Sequence, residues 1–225
     1  MKRAFLLACQ VLVTLLPWPL RRWCLQRFWG FRLDPGSRIG LSWIFPNHLT
    51  MGPGAAIGHL NVAVHLESIT LDAHSYIGRG NWITGFPKGA PRHFTHQPDR
   101  DPSLHLGEHA AVTKNHHLDR TSRIEIGAFT TIAGYASQFL THSIDVHECR
   151  QDSSPIVIGG HCFVGTNVVV LGGARLPDRS VLGAKALLNK AFEIPDQLYG
   201  GVPAKCLGPL TGARKYFTRS TGFVD

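Results

Sequence analysis

Acidic residues are scarce in this 225-residue chain: 15 Asp and Glu stand against 23 Lys and Arg, a formal net charge of +8. The pI is near 9.6. An excess of that size points to an anionic partner, such as a phosphorylated cofactor, a lipid headgroup or nucleic acid. The chain has no helix-turn-helix, RNP-like or zinc-finger pattern, so nucleic acid ranks last. Cysteine is sparse too. Cys9, Cys24, Cys149, Cys162 and Cys206 are scattered, odd in number and form no Cys-x-x-Cys. That argues against a disulfide framework or a zinc ribbon and predicts reduced thiols in a cytoplasm. Long apolar runs are missing. The longest, Ala4 to Leu16, falls short of the ~20 residues a helix needs to cross a bilayer. Lys2 and Arg3 precede it as in a secretory leader, but no Ala-x-Ala cleavage site follows.

What the chain does have is a period of six. Ile158, Val164, Val170, Leu176, Leu182, Leu188 and Ile194 fall on one unbroken lattice. Four residues after each comes a second column, mostly small: Cys162, Val168, Ala174, Ser180, Ala186 and then Phe192. Gly follows the aliphatic at Gly159, Gly165 and Gly183. A helix repeats every 3.6 residues and a plain strand every two, so six fits neither. It fits a short flat strand and a corner, repeated, with one large aliphatic per side pointing inward and Gly or Asn taking the corner dihedrals. Three such sides close a triangular coil, and stacked coils bury a column that no single coil buries alone.

The same lattice runs upstream in broken form. Leu33 and Ile39 start it, with Ser37 in the small column; Met51 and Ile57 follow with Ala55, and Leu71, Ile77 and Ile83 with Ser75. Then come Leu106, Val112 and Leu118 with Ala110 and His116, and Ile126 and Ile132 with Thr130 and Ala136. The frame slips between sets, so inserts are expected. Pro87 to Ser103 and Ile144 to Pro155 lack the lattice and are predicted to be irregular loops protruding from it. On a rigid solenoid, such loops are where substrate contacts concentrate.

Residues 1–32 differ in kind. The apolar run ends at Pro17-Trp18-Pro19, and Leu20 to Leu33 interleaves Arg21, Arg22, Arg27 and Arg32 with Trp23, Phe28, Trp29 and Phe31. Two readings stand for this helical segment. It packs its aromatics on the first coil as a cap, or it lies at a membrane surface. The predicted organisation is therefore a hydrophobic and basic helical segment over 1–32, a β-helix domain over 33–207 and a tail over 208–225.

Several motifs occur in a fixed order: Thr141-His142, an irregular loop, Ile158-Gly159 to Val164-Gly165, Val181-Leu182-Gly183-Ala184 to Asn189-Lys190, Ile194-Pro195, and Gly200-Gly201-Val202-Pro203-Ala204-Lys205. With the repeat, this order resembles the hexapeptide-repeat acyltransferases, in particular the maltose/galactoside O-acetyltransferase branch that includes polysaccharide-modifying enzymes. The fine resemblance covers about Asn115 to Leu207. It implies an all-β fold, a left-handed parallel β-helix of hexapeptide repeats with an N-terminal helical segment and protruding loops. It also implies a homotrimer with acetyl-CoA bound between neighbouring β-helices, and acetyl transfer to a hydroxyl of a sugar or polysaccharide precursor.

The resemblance assigns roles residue by residue. His142 is the general base, which fits the need to take a proton from a weakly nucleophilic hydroxyl with a group of near-neutral pKa. Thr166 stands where the family has an oxyanion donor. Gly183 and Ala184 match backbone contacts to the pantetheine arm, and Lys190 and Lys205 match basic positions for the nucleotide phosphates, with Arg175 and Lys185 nearby. On the acceptor side Asn115, His117 and Asp119 are the candidates. Two roles stay open there: His117 orients the acceptor, or Asp119 orients His142. His116, in the small column, is expected inward or in a ladder. Trp82 and Phe86 either stack on a sugar ring or pack in the core. No metal is expected. The basic aromatic start adds a reading of peripheral contact at the inner face of the membrane and a lipid-linked sugar as acceptor.

Two other classes were weighed. Zinc carbonic anhydrases share the fold, and the 13 histidines invite the comparison. His142 with His147, or His105 with His109, would have to meet at about 2 Å from a metal. The other class is a non-catalytic scaffold. Bound zinc would mark the first, and activity sensitive to His142 argues against the second.

Overall fold

The computed structural model describes residues 2–89, 92–222 and 224, with side chains from residue 4 onward. Met1 and the side chains of Lys2 and Arg3 lie outside the described residues, as do residues 90 and 91 of the first predicted loop and residues 223 and 225 of the tail.

From Arg32 onward the chain winds into a left-handed parallel β-helix with three faces. Two faces have seven strands, and one has nine. The registers follow the aliphatic lattice. On the first face Leu33, Met51, Leu71, Leu106, Ile126, Ile158 and Leu176 stack in parallel register. On the second the stack is Ile39, Ile57, Ile77, Val112, Ile132, Val164 and Leu182. On the third it is Ile44, Ala63, Ile83, Leu118, Phe139, Val170 and Leu188. All are buried, and the small column of Ser37, Ala55, Ser75, Ala110, His116, Thr130, Cys162, Val168, Ala174, Ser180 and Ala186 is buried with them. Each enclosed aliphatic contributes ~1.5–3 kcal/mol relative to exposure, and only the neighbouring coils enclose it.

The lattice departs from expectation at three places. Ala136 is exposed, and Ser137 and Phe139 take the inward positions instead, because Gly134 and Tyr135 add one residue to that corner. Ile194 is 64% exposed; the chain has left the lattice by then, and Tyr199 fills the inward slot against Leu182. The second excursion is an ordered antiparallel hairpin, His142–Asp145 on Arg150–Ser153, where an irregular loop is predicted. The first excursion, between the strands Trp82–Thr84 and Ser103–Leu106, carries no strand or helix among its described residues.

The N-terminal segment forms two helices, α1 (Lys2–Leu15) and α2 (Trp18–Trp29). Pro17 and Pro19 break the apolar run and start α2, and Gly30, with φ 68°, ends it in the left-handed region. α2 sits on the first coil. Its Arg21, Cys24 and Leu25 are buried, and Arg21 donates to the carbonyls of Gly40 and Ser42 at 2.8 Å each. Burial lowers the Arg21 pKa to about 10. α1 turns most of its apolar side chains outward.

A buried polar ladder runs along the edge between the second and third faces. The Asn61 N–H is bonded to Ser42 Oγ, the Asn81 N–H to Asn61 Oδ1, the His116 N–H to Asn81 Oδ1, and the Ser137 N–H to His116 Nδ1. His116 therefore lies in a ladder, and its imidazole carries its proton on Nε2 toward Thr113 Oγ1.

Candidate active site

The site sits where the third face turns into the first. The strand Gln138–Leu140 ends there, and Thr141 makes the corner. Its hydroxyl accepts from the Ser122 N–H at 2.9 Å and donates to the Asp119 carbonyl at 2.8 Å. His142 then opens the hairpin, paired with Ser153. One coil earlier the strand His117–Asp119 ends at the same edge, so Asp119 stacks against Leu140 in register. Thr141 and Asp119 are buried, whereas the His142 side chain is 34% exposed. The corner thus presents an imidazole over a carboxylate that is almost fully buried.

Nδ1 of His142 is hydrogen-bonded to Oδ2 of Asp119. The other carboxylate oxygen accepts from the Thr121 hydroxyl at 2.8 Å and from the Thr121 N–H at 3.3 Å. An acceptor-only carboxylate facing Nδ1 keeps the proton there and leaves the Nε2 lone pair free as a base. The hydrogen bond to Asp119 raises the pKa of His142, partial burial opposes it, and the Asp119 charge adds to the rise. Two roles are open for Asp119 from the sequence, acceptor contact or orienting group for His142; both its oxygens are hydrogen-bonded, to His142 and to Thr121, a geometry that suits the orienting role.

The imidazole faces a cleft of about 480 Å³ lined by His65, Phe86, Pro87, His117, Leu140 and His142 among others. Phe86 stands edge-on to the His142 ring with centroids 5.5 Å apart. Gly85 is required beside it, since a Cβ there would lie 2.8 Å from the Arg120 backbone. The first loop is tied down by Arg100, whose guanidinium donates to the carbonyls of Phe86 at 2.9 Å, Pro87 at 2.7 Å and Thr121. Gln97 bonds to Asp152 and Ser153 of the hairpin, so the two excursions clasp each other. Trp82 is exposed on the third face, in register with His117.

The predicted site residues divide between two edges. His142, His117 and Asp119 come together. Asn115 does not join them: it is exposed at the corner between the second and third faces, with φ 53°, one strand away. Thr166 lies along that same edge, its hydroxyl accepting from the Tyr135 N–H and donating to the Tyr135 carbonyl at 3.1 Å each. Gly183 and Ala184 stack beneath Gly165 there, and Lys205 pairs with Gly200 next to them. Lys190 returns to the His142 edge two coils further on, exposed, with Nζ 5.1 Å from the Phe192 ring centroid. The physical reason is the fold itself: residues on either side of one strand, a third of a coil apart, occupy different corners, however close in sequence.

The histidines weighed for zinc are also apart. His105 bonds to Asp72 at 2.9 Å, His109 stacks between His74 and Phe129 on another edge, and His147 lies in the hairpin turn. Among the described residues no group of three His, Cys, Asp or Glu is placed to hold a metal ion. Sequence reasoning missed His65, Thr121 and Arg100. His65 carries a positive φ of 61° but no motif, and Arg100 is hidden in a loop without periodicity.

The chain is thus a hexapeptide-repeat left-handed β-helix with a His–Asp pair in a cleft, and the resemblance drawn from its motifs holds: the relatives its sequence finds are O-acyltransferases of that family. No family model matches. The galactoside O-acetyltransferase of Escherichia coli K12 is 24% identical over 155 residues, 67% of this chain and 71% of that protein. An acyl-[acyl-carrier-protein]–UDP-N-acetylglucosamine O-acyltransferase of Sinorhizobium fredii is 26% identical over 141 residues, 62% of this chain and 49% of the relative. Among solved structures, a polysialic acid O-acetyltransferase superposes with TM-score 0.55 at 16% identity, covering 84% of this chain and 90% of that one. A hexapeptide-repeat acetyltransferase of Vibrio cholerae complexed with acetyl coenzyme A gives 0.51 at 20%, covering 90% and 84%. These last two likenesses speak for the fold.

Proposed function

We propose that this protein is an acetyl-CoA-dependent O-acetyltransferase acting on a hydroxyl of a sugar or polysaccharide precursor, with His142 as general base. The observation that carries the reading is the His142–Asp119 pair at the floor of an open cleft. Nε2 takes the proton of the acceptor hydroxyl as its oxygen attacks the thioester carbonyl. The tetrahedral intermediate collapses, the C–S bond breaks, and the thiolate of CoA receives that proton back from the imidazolium. No covalent enzyme intermediate is needed. Asp119 holds the tautomer and stabilises the imidazolium that forms.

The donor is assigned to the edge of Thr166, Gly183, Ala184 and Lys205, with Lys190 as a further basic contact. That edge is one face away from His142 within a protomer. The reading therefore includes a homotrimer with its threefold axis parallel to the solenoid, an arrangement that would set one protomer's His142 edge against its neighbour's donor edge. The acceptor lies against His117, and Asn115 reaches it only from a neighbour. Five thiols with no disulfide among them fit a cytoplasmic location. Among the described residues no helix is long and apolar enough to cross a membrane. Peripheral contact with one is assigned to Leu7, Val11 and Leu15 of α1, which are exposed and lie outside the lining of the cavity between α1, α2 and the first coils.

The test is CoA release from acetyl-CoA in the presence of galactosides and acidic polysaccharides. Acceptor-dependent release that falls about 10²–10⁴-fold in His142→Ala supports the reading. Full activity in that variant overturns the role of His142.

A further inference from the structure

A second cavity adjoins the cleft. α1, α2 and the first coils enclose an apolar groove of about 950 Å³, lined by Leu6, Leu12, Phe28, Trp29 and Phe45 among others. His65 and Pro87 are part of its lining. The same two residues line the His142 cleft. The two spaces are therefore neighbours with two lining residues in common: one holds the His–Asp pair, and the other is lined mainly by aliphatic and aromatic side chains, with Gln10, Asn47 and His65 among them.

The groove is not a by-product of coil packing. The coils are closed by their own core, and α2 covers the first of them through Arg21, Cys24 and Leu25, with Val13 the buried apolar side chain of α1 in the same cluster. α1 adds a second wall while Leu6 and Leu12 stay 49% and 65% exposed. An apolar wall left open next to a reaction centre matches a substrate that is polar at one end and apolar at the other.

We propose that the groove holds the alkyl or prenyl tail of a lipid-tailed sugar acceptor whose hydroxyl sits at His142. This rests on the O-acetyltransferase reading and narrows its acceptor class. The tail runs past His65 and Pro87 and lies between α1 and the first coils, where Trp29 and Phe45 pack with ring centroids 5.5 Å apart. The shared lining residues His65 and Pro87 put the groove directly beside the cleft, which favours a tail attached to the acceptor over a detached lipid.

The probes are methyl, octyl and dodecyl β-galactosides below their critical micelle concentrations, used with the full-length protein. Binding is followed by tryptophan emission, to which Trp29 contributes, and turnover by CoA release. Burial of added methylenes predicts that the dodecyl glycoside binds about tenfold or more tighter than the methyl glycoside. In Leu6→Arg that advantage falls to about twofold or less. Leu6 is half exposed, so the fold should survive the change, and far-UV circular dichroism verifies it. Val13→Arg, at a buried position, serves as a second and harsher variant. Equal binding of all three glycosides overturns the proposal, with or without turnover. Chain-length-dependent binding without turnover supports the groove and tells against sugar acetylation, so the two readings fail separately. If Leu6→Arg instead changes the oligomer by light scattering, or abolishes vesicle binding, while glycoside binding stays flat with chain length, the groove belongs to a second copy or to a bilayer, and the proposal falls.

Discussion

Asp119 and His142 are separated by 23 residues in sequence and joined by one hydrogen bond across the coil corner, with the carboxylate buried and the imidazole half in the cleft. The pairing follows from the parallel register, which sets Asp119 beside Leu140, two residues before the histidine. Its effect is to raise the pKa of His142 above the ordinary imidazole value. As the proposed general base, His142 is competent only when neutral, so activity is expected to rise with pH through that raised pKa. In Asp119→Asn the support is lost, and the acidic limb of kcat/KM moves to lower pH while kcat drops by about 10²-fold or more. A pH–rate profile from pH 5 to 9 on both proteins reads this. An unshifted limb would remove Asp119 from the mechanism.

His116 is buried in the polar ladder, and burial lowers its pKa to about 4. In the unfolded chain it titrates near 6.5. Between those values the unfolded state binds the extra proton, so stability falls as pH drops from about 7 toward 4. The 2.5-unit gap corresponds to a loss on the order of 3 kcal/mol at the acid end. His116→Asn extends the Asn61 and Asn81 ladder with a residue that does not titrate. It should keep the fold and flatten the pH dependence of the urea midpoint across this range. An equally steep dependence in the variant would place the titrating group elsewhere.

Arg21 closes the open end of the solenoid. Its two bonds to the carbonyls of Gly40 and Ser42 satisfy acceptors that the next coil would otherwise cover. Arg21→Met leaves those carbonyls without this donor while keeping the stem's packing. The expected loss is about 1–3 kcal/mol, read as a lower urea midpoint. Arg22→Met, one residue on, removes an exposed bond to Pro35 and should change stability by about 0.5 kcal/mol or less. Equal effects of the two substitutions would mean that α2 does not act as a cap.

The period of six made the solenoid legible because every inward aliphatic from Leu33 to Leu188 has a neighbour above or below it. Where that mutual burial ends, the pattern misleads. Ile194 continues the lattice in sequence but has no coil beyond it, and it lies exposed while Tyr199 packs. The hairpin at His142–Ser153 was hidden because polar residues alternate with no core face, and its order comes from Gln97 reaching over from the first loop. In the site, Thr141-His142 was visible as a motif. The choice between acceptor contact and orienting group for Asp119 was not, since it depends on which corner each residue reaches. The same geometry separates Asn115, in the corner before the third-face strand, from His117, the first residue of that strand, two positions on in sequence.

That division of residues between edges yields the last prediction. His142 lies on one edge and Lys205 beside the next, so a site shared between protomers takes its base from one chain and its donor contact from another. His142→Ala alone should lose most turnover. Lys205→Ala alone should raise the KM for acetyl-CoA more than that for the acceptor, because it removes the proposed phosphate contact and leaves the proposed base in place. Co-expression of the two variants as mixed trimers restores sites in which an intact His142 faces an intact Lys205. With random assortment about a quarter of the sites are whole, and a matching fraction of wild-type kcat/KM at low acetyl-CoA should return. Native mass spectrometry verifies that mixed trimers formed. If they form and activity is only the sum of the separate variants, base and donor contact belong to one chain, and the shared site is wrong. An unchanged KM for acetyl-CoA in Lys205→Ala would instead remove that lysine from the donor edge while leaving His142 and Asp119 where they are.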